Sequence, residues 1–369
     1  MARDQINHRR FGNVRRLPSG RYQARWAGPD GYVHKAPATF ATADEADAWL
    51  AGELVARATN SWVDERRGAT AFGELAAQWK AETVHKRPST LARDHGYLDR
   101  YLTPAFGPLA VADIDAAAVA SWQAGLLAAG LAAATIGKAR QVLAAILDIA
   151  IRDKRLAGDN PVGLVKGPKI DDAEMMVLDR AQIADLADAI DPRYRALVIV
   201  ACHTGLRMGE LVGLVAGDVD LLRRRLTVTR NITEVNGTLH FGPLKTKAGR
   251  RVVPLSAEAV EALTPMVGGA GHRDDILFTA PRGGFLRPGA WRARFWYPAL
   301  EAAGLEGLRC HDMRHTAVTL WCQAGIDPKT IATWAGHASV VTVLDRYAHW
   351  LPNRDDENLA RLDAYISAG

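Results

Sequence analysis

In TIGKARQVLAAILDIAIRDKRL, residues 135–156, apolar side chains return every three or four positions. Ile136, Ala139, Leu143, Ile146, Leu147 and Ala150 make one stripe of an amphipathic helix. The Ala- and Leu-rich segment around it, residues 68–165, keeps the same period and predicts a bundle of about four helices. Residues 11–58 follow a different rhythm. FGNVRRL, RYQARW and YVHKAPATF are strand-like runs separated by PSG and GPDG, and a helical pattern begins near Thr42. Turn residues between short alternating runs predict a three-stranded sheet followed by a helix. GDNPVGLVKGPKIDDAEMM then interrupts the periodicity with prolines and glycines, and reads as a linker centred on 166–176. Beyond it, LDRAQIADLADAI places Asp179 and Gln182 at the spacing of a helix N-cap and its reciprocal partner. RLTVTRNITEV, the Asn236-Gly237 turn, TLHFGPLK and RRVVPLS predict a three-stranded meander. From about Ala290 the pattern is helical to the end. The expected fold is mainly α with small β-sheets: a sheet-plus-helix module over 1–62, a helical bundle over 68–165, and a mixed α/β domain over 177–369.

Charge adds direction to this outline. The 369 residues carry a formal charge of +5, and residues 1–40 hold eight Lys or Arg against two Asp, so the excess is concentrated at the start. A basic first segment points to a polyanion such as nucleic acid. Arg15 and Arg16 on the first strand, and Arg21 and Arg25 along the second, are candidate DNA contacts. Cys202, Cys310 and Cys322 are an odd number, widely spaced and without a CxxC pair, which argues against a disulfide framework or zinc ribbon and for a reducing, cytoplasmic setting. The longest apolar runs, such as ALVIVAC, are far short of a membrane span.

Four clusters in the last domain carry candidate chemistry. In TGLRMGEL, Gly205 breaks an apolar helix just before Arg207, and Glu210 lies one turn on, placed to steady it. In CHDMRHT, His311 and Arg314 share a helical face. His311, Asp312 and His315 also spell a version of the two-histidine zinc helix, but Asp is shorter than the glutamate such a site uses and no third ligand follows. Lys245 stands at a hairpin tip in LKTKAG, with Lys247 an equally placed substitute. GHASVVTVLDRYAH contributes His337, Arg346 and Tyr347. Cationic clamps, a proton shuttle, an acid for the leaving group and a hydroxyl nucleophile together suit phosphoryl transfer without a metal or other cofactor.

In their order and separation these motifs resemble the tyrosine recombinases, the phage-integrase group of site-specific DNA recombinases. Ala335 and Met313 stand where leucine is common in the family, apolar for apolar. The resemblance implies that Tyr347 attacks the scissile phosphate to form a 3′-phosphotyrosyl link. Arg207 and Arg314 would hold the non-bridging oxygens, Lys245 would protonate the leaving 5′-oxygen, His311 would accept the phenolic proton, and His337 would donate to the phosphate. Glu210 would orient the site. The helical bundle would be a core-binding domain and the first module an arm-binding domain. The resemblance further implies double-stranded DNA with core- and arm-type sites as substrate, a homotetramer on DNA, an excision factor, a host DNA-bending protein and a place on the nucleoid. A tail helix carrying Leu359, Leu362 and Ile366 would pack either on its own subunit or on a neighbour. Two alternatives remain at this point, a 3′-linked tyrosine topoisomerase and an inactive DNA-binding regulator.

Overall fold

The computed structural model describes residues 11–28, 31–59, 65–170, 175–242, 249–353 and 355–367. Lys245 and Lys247 therefore lie outside the described residues. The chain divides into two compact units, Met1–Asp171 and Asp172–Gly369.

The first unit holds two separate cores. In the first, strands β1 (Asn13–Arg16), β2 (Tyr22–Ala27) and β3 (Val33–Lys35) form an antiparallel sheet with β2 in the centre. Alternation sends Ala24 and Trp26 inward against Ala46 and Leu50 of helix α1 (Ala43–Ala58). Thr42 caps α1, and Glu45 returns the bond to the Thr42 backbone. Opposite positions across the strands bring Asn13, Arg25 and Lys35 into one row, with Arg15 facing Gln23 in the next. The outer face is thus basic through Arg15, Arg25 and Lys35. Arg21, expected on the middle strand with Arg25, instead precedes it and is held by Thr39, with Nε donating to Oγ1 at 2.8 Å. Arg16 sits across from Tyr22 at the sheet's end and donates to the Gly20 carbonyl at 3.4 Å.

The second core is helical, built from α2 (Phe72–Glu82), α3 (Pro88–Tyr97, continuing as a π turn through Leu102), α4 (Ala116–Ala128) and α5 (Ala133–Arg152). The six residues of the α5 stripe are fully buried. Residues of that size contribute about 1.5–3 kcal/mol each for the larger side chains, so the stripe fixes which face of α5 points inward. Gln123 and Arg140 bind the carbonyls of Lys166 and of Val162 respectively, tying the segment after α5 to the bundle.

The second unit begins with α6 (Arg180–Ala189), capped by the expected Asp179–Gln182 pair, and α7 (Pro192–Thr204), which packs against it. A single turn, α8 (Met208–Leu211), follows. The strands differ from the meander expected. β5 (Arg225–Val228) pairs with β4 (Val219–Asp220) and β8 (Arg251–Pro254), whereas β6 (Asn231–Val235) and β7 (Thr238–Gly242) form their own hairpin. The run RLTVTRNITEV breaks at Thr229 and Arg230 because both side chains are drawn to Asp218, Arg230 at 2.7 Å, so the chain turns out of the first sheet. Asn236 and Gly237 both have positive φ, as the tight hairpin requires. Helices α9 (Ala257–Gly268), α10 (Asp312–Gln323), α11 (Pro328–Ala335), α12 (Val341–Tyr347) and α13 (Asp355–Ser367) follow, with shorter helical turns over Pro288–Ala302 between α9 and α10. Leu359, Leu362 and Ile366 of α13 are exposed. Among the described residues no helix is long and apolar enough to cross a membrane.

Candidate active site

Two helix ends build the site. Helix α7 stops at Gly205 and α11 at Gly336, and both glycines are left-handed, with φ of 61° and 66°. The last carbonyls of a helix have no partner within it and carry the negative end of its dipole, so they attract cations. Three guanidiniums answer. Arg314 on α10 donates to the Gly205 carbonyl at 2.7 Å and to that of Ala335. Arg251 on β8 donates to the Trp334 carbonyl at 2.6 Å, and Arg207 reaches Gly336 at 3.5 Å. Arg207 and Arg314, far apart in the chain, are thereby brought to the same carbonyl-lined end of α11.

Glu210 is the carboxylate of this cluster. It accepts from the Arg207 side chain at 3.0 Å and from the Arg207 backbone at 2.9 Å, and it pairs with both Nη atoms of Arg251. Burial would raise its pKa, but the bonds from Arg251 and Arg207 hold it below the ordinary carboxylate value. Gly209 permits this turn to sit against β6. A Cβ there would lie 2.4 Å from the Ile232 carbonyl oxygen.

Tyr347, at the end of α12, is 2% exposed, and its hydroxyl is hydrogen-bonded to His315 Nδ1. Burial pushes the phenol up to about 12, against the pull of Arg314 and Arg346, so the resting hydroxyl is neutral. His311 does not take this bond. Its ring stands edge-on to His315, with centroids 4.9 Å apart, and it opens to solvent at the other side. Reading the sequence missed His315 except as a possible zinc ligand. The signal available was its place one residue after Arg314, which turns it from the carbonyl-lined pocket toward α12. Asp312, the other member of that zinc pattern, is occupied by Arg309 at 2.8 Å, and among the described residues no group of three His, Cys, Asp or Glu could hold a metal ion.

His337 follows the Gly336 cap. Its Nδ1 is buried and has no hydrogen-bond partner among the described residues. It is a polar atom that the fold leaves unsatisfied close to the guanidiniums of Arg314 and Arg207. Burial, with Arg314 and Arg207 nearby, lowers its pKa to about 4, and burial with His315 and Arg314 does the same for His311. Folded His337 is therefore neutral down to about pH 4, whereas the unfolded ring takes a proton near pH 6.5. Stability from this residue is fully present above that value and is lost as pH falls from about 6.5 toward 4. The urea midpoint of the DNA-free protein should decline over this window, and His337→Asn should flatten the decline; an unchanged slope would contradict the burial of a neutral ring.

The profile of the phage integrase family matches residues 176–354, that of the phage integrase central domain residues 72–166, and that of the phage integrase N-terminal domain residues 10–58. A putative prophage phiRv2 integrase of Mycobacterium tuberculosis is 30% identical over 366 residues, spanning 96% of this chain and 95% of the relative. The chain belongs to the phage integrase family. The integrase of Mycobacterium phage L5 is 28% identical and spans 90% and 91% of the two chains. The fold is shared with a Tn1549 transposon integrase in complex with circular intermediate DNA (TM-score 0.66, 19% identity, 80% of this chain and 99% of that one). It is also shared with a lambda integrase dimer bound to a COC′ core site (TM-score 0.58, 15% identity, 96% and 97%). The integrase reading thus stands, as a site-specific recombinase of DNA strands, and the topoisomerase and regulator alternatives are not favoured.

Proposed function

We propose that this integrase cleaves double-stranded DNA at short sites by attack of Tyr347 on a scissile phosphate, leaving a 3′-phosphotyrosyl link and a free 5′-hydroxyl. Arg207 and Arg314 hold the non-bridging oxygens, where planar guanidinium forks meet the added charge of the phosphorane. His337 donates a hydrogen bond to the same oxygens. The hydrogen bond to His315 makes that ring the first acceptor of the phenolic proton, with His311 next to it as the group that passes it toward solvent. Lys245 protonates the departing 5′-oxygen, and Lys247 is its only rival in the motif. The new ester conserves the energy of the broken diester, so rejoining needs no ATP.

The observation that carries this reading is the gathering of Arg207 and Arg314 at the end of α11, beside a neutral, held tyrosine. Peptide mapping of the covalent adduct trapped on a nicked suicide duplex tests it. The DNA-linked peptide should contain Tyr347, and linkage to any other residue refutes the assignment.

The three segments are assigned as arm-binding (1–62), core-binding (68–165) and catalytic (177–369), joined at 166–176. The enzyme acts in the cytoplasm on nucleoid DNA, as a homotetramer, with an excision factor and a DNA-bending protein as partners. The outer face of the first sheet, with Arg15, Arg25 and Lys35, is the surface offered to arm-type DNA. Arg15→Gln together with Arg25→Gln should weaken binding to accessory sites and lower the salt-dependence slope by about two, one for each phosphate that is no longer neutralised. Core-site binding should be unaffected. An unaltered slope would move the arm-binding surface elsewhere.

A further inference from the structure

Arg251 is a second buried arginine in the site, and no role in the reaction follows from the motifs. It is 5% exposed, and its donors are consumed internally: two on Glu210, one on the Trp334 carbonyl and one on the Gly249 carbonyl. It therefore has little left to offer a phosphate. Arg207 differs, with a side chain 41% exposed and a single strong bond to Glu210. The three side chains form a row in which one carboxylate is shared between two guanidiniums.

We propose that Arg251 is a positioning residue that occupies Glu210, so that Arg207 keeps a net positive charge for the scissile phosphate, and that holds the end of α11 where Arg207, Arg314 and His337 converge. The inference rests on the reading of Arg207 as a phosphate clamp. In the absence of Arg251, the buried Glu210 would have only Arg207 as a counter-ion, and the pair would be neutral toward the DNA. The α11 end would also lose its Trp334 anchor. Lysine could not substitute, because one ammonium cannot span both carboxylate oxygens and a carbonyl in the plane of the fork.

Full-length protein tests this charge balance on suicide duplexes whose scissile linkage is either an ordinary phosphodiester or an uncharged methylphosphonate. Single-turnover cleavage and non-covalent binding are measured for Arg207→Ala, Arg251→Met, and Arg251→Met combined with Glu210→Gln. Arg251→Met should slow diester cleavage by about 100-fold, the scale of losing one preorganised donor, with affinity for the duplex retained. On the methylphosphonate, where there is less charge to balance, the deficit should shrink to about tenfold or less. The double variant restores the balance of charge and should cleave the diester at least about tenfold faster than Arg251→Met.

If Arg251→Met is equally impaired on both linkages while Arg207→Ala is rescued by the methylphosphonate, Arg251 serves packing alone and the proposal fails. If Arg207→Ala is not rescued, the clamp reading itself fails. Should Arg251→Met not fold, the double variant decides, because it buries no unpaired charge. A folded double variant as slow as about 100-fold below the parent on both linkages overturns the proposal.

Discussion

Tyr347→Phe should bind site DNA as the parent does and form no covalent adduct at all. The substitution removes one oxygen from a side chain that is almost fully enclosed, packed among Val318, Cys322, Ile331, Ala335 and Val343. The ring that fills this space is retained, so the fold is kept. The loss of the adduct falls on chemistry and not on DNA binding, since no other hydroxyl in the cluster is held against a histidine. His315 loses its partner and is left with a buried nitrogen, which costs about 1–3 kcal/mol of stability. Denaturation midpoints should therefore fall slightly while a gel-shift assay stays constant. A covalent band persisting on a suicide substrate would take the nucleophile's role from Tyr347.

Much of the fold and part of the site are legible in the chain because short-range rules govern them. The Asp179–Gln182 cap, the Arg207–Glu210 turn and the buried stripe of α5 are all matters of three- and four-residue spacing, and each forms as that spacing requires. The helix-ending Gly205 also shows in TGLR, as a break just before Arg207. What spacing does not reveal is where long-range partners meet. Arg251 sits in RRVVPLS as one basic residue of a surface-like strand, and only the pairing of β8 with β5, Arg251 opposite Val228, turns it into the interior toward Glu210. The break between β5 and β6 depends on Asp218, eleven and twelve positions upstream of the residues it captures. His315 is obscured for another reason. Its i, i+4 relation to His311 suggests a shared ligand, whereas the two rings meet edge to face and the bond runs to a helix 32 residues later.

Replacing Arg314 by alanine should reduce cleavage by about 10²–10³-fold, because the loss of one preorganised donor from a site of this kind removes about 3–4 kcal/mol of transition-state stabilisation. The proposed contact with the phosphate is only part of the reason, because Arg314 also organises the site. Arg314 is 3% exposed and links the carbonyls ending α7 and α11, so it fixes the distance between the turn bearing Arg207 and the loop bearing His337. Burial, with Arg207 and Arg251 close by, lowers its pKa to about 9, which still leaves it charged at neutral pH. That crowding of like charge is relieved when an anion enters, so the site favours bound phosphate over the empty state, and most strongly the phosphorane. Arg314→Lys should recover little, since an ammonium cannot hold both carbonyls and an oxygen of the phosphate in one plane. Affinity for the intact duplex should change by less than about tenfold, because many other phosphates are engaged along the site. Single-turnover cleavage and equilibrium binding, measured on the same duplex, separate these effects. Equal losses in both would mean that Arg314 acts in docking the DNA and not in the transition state.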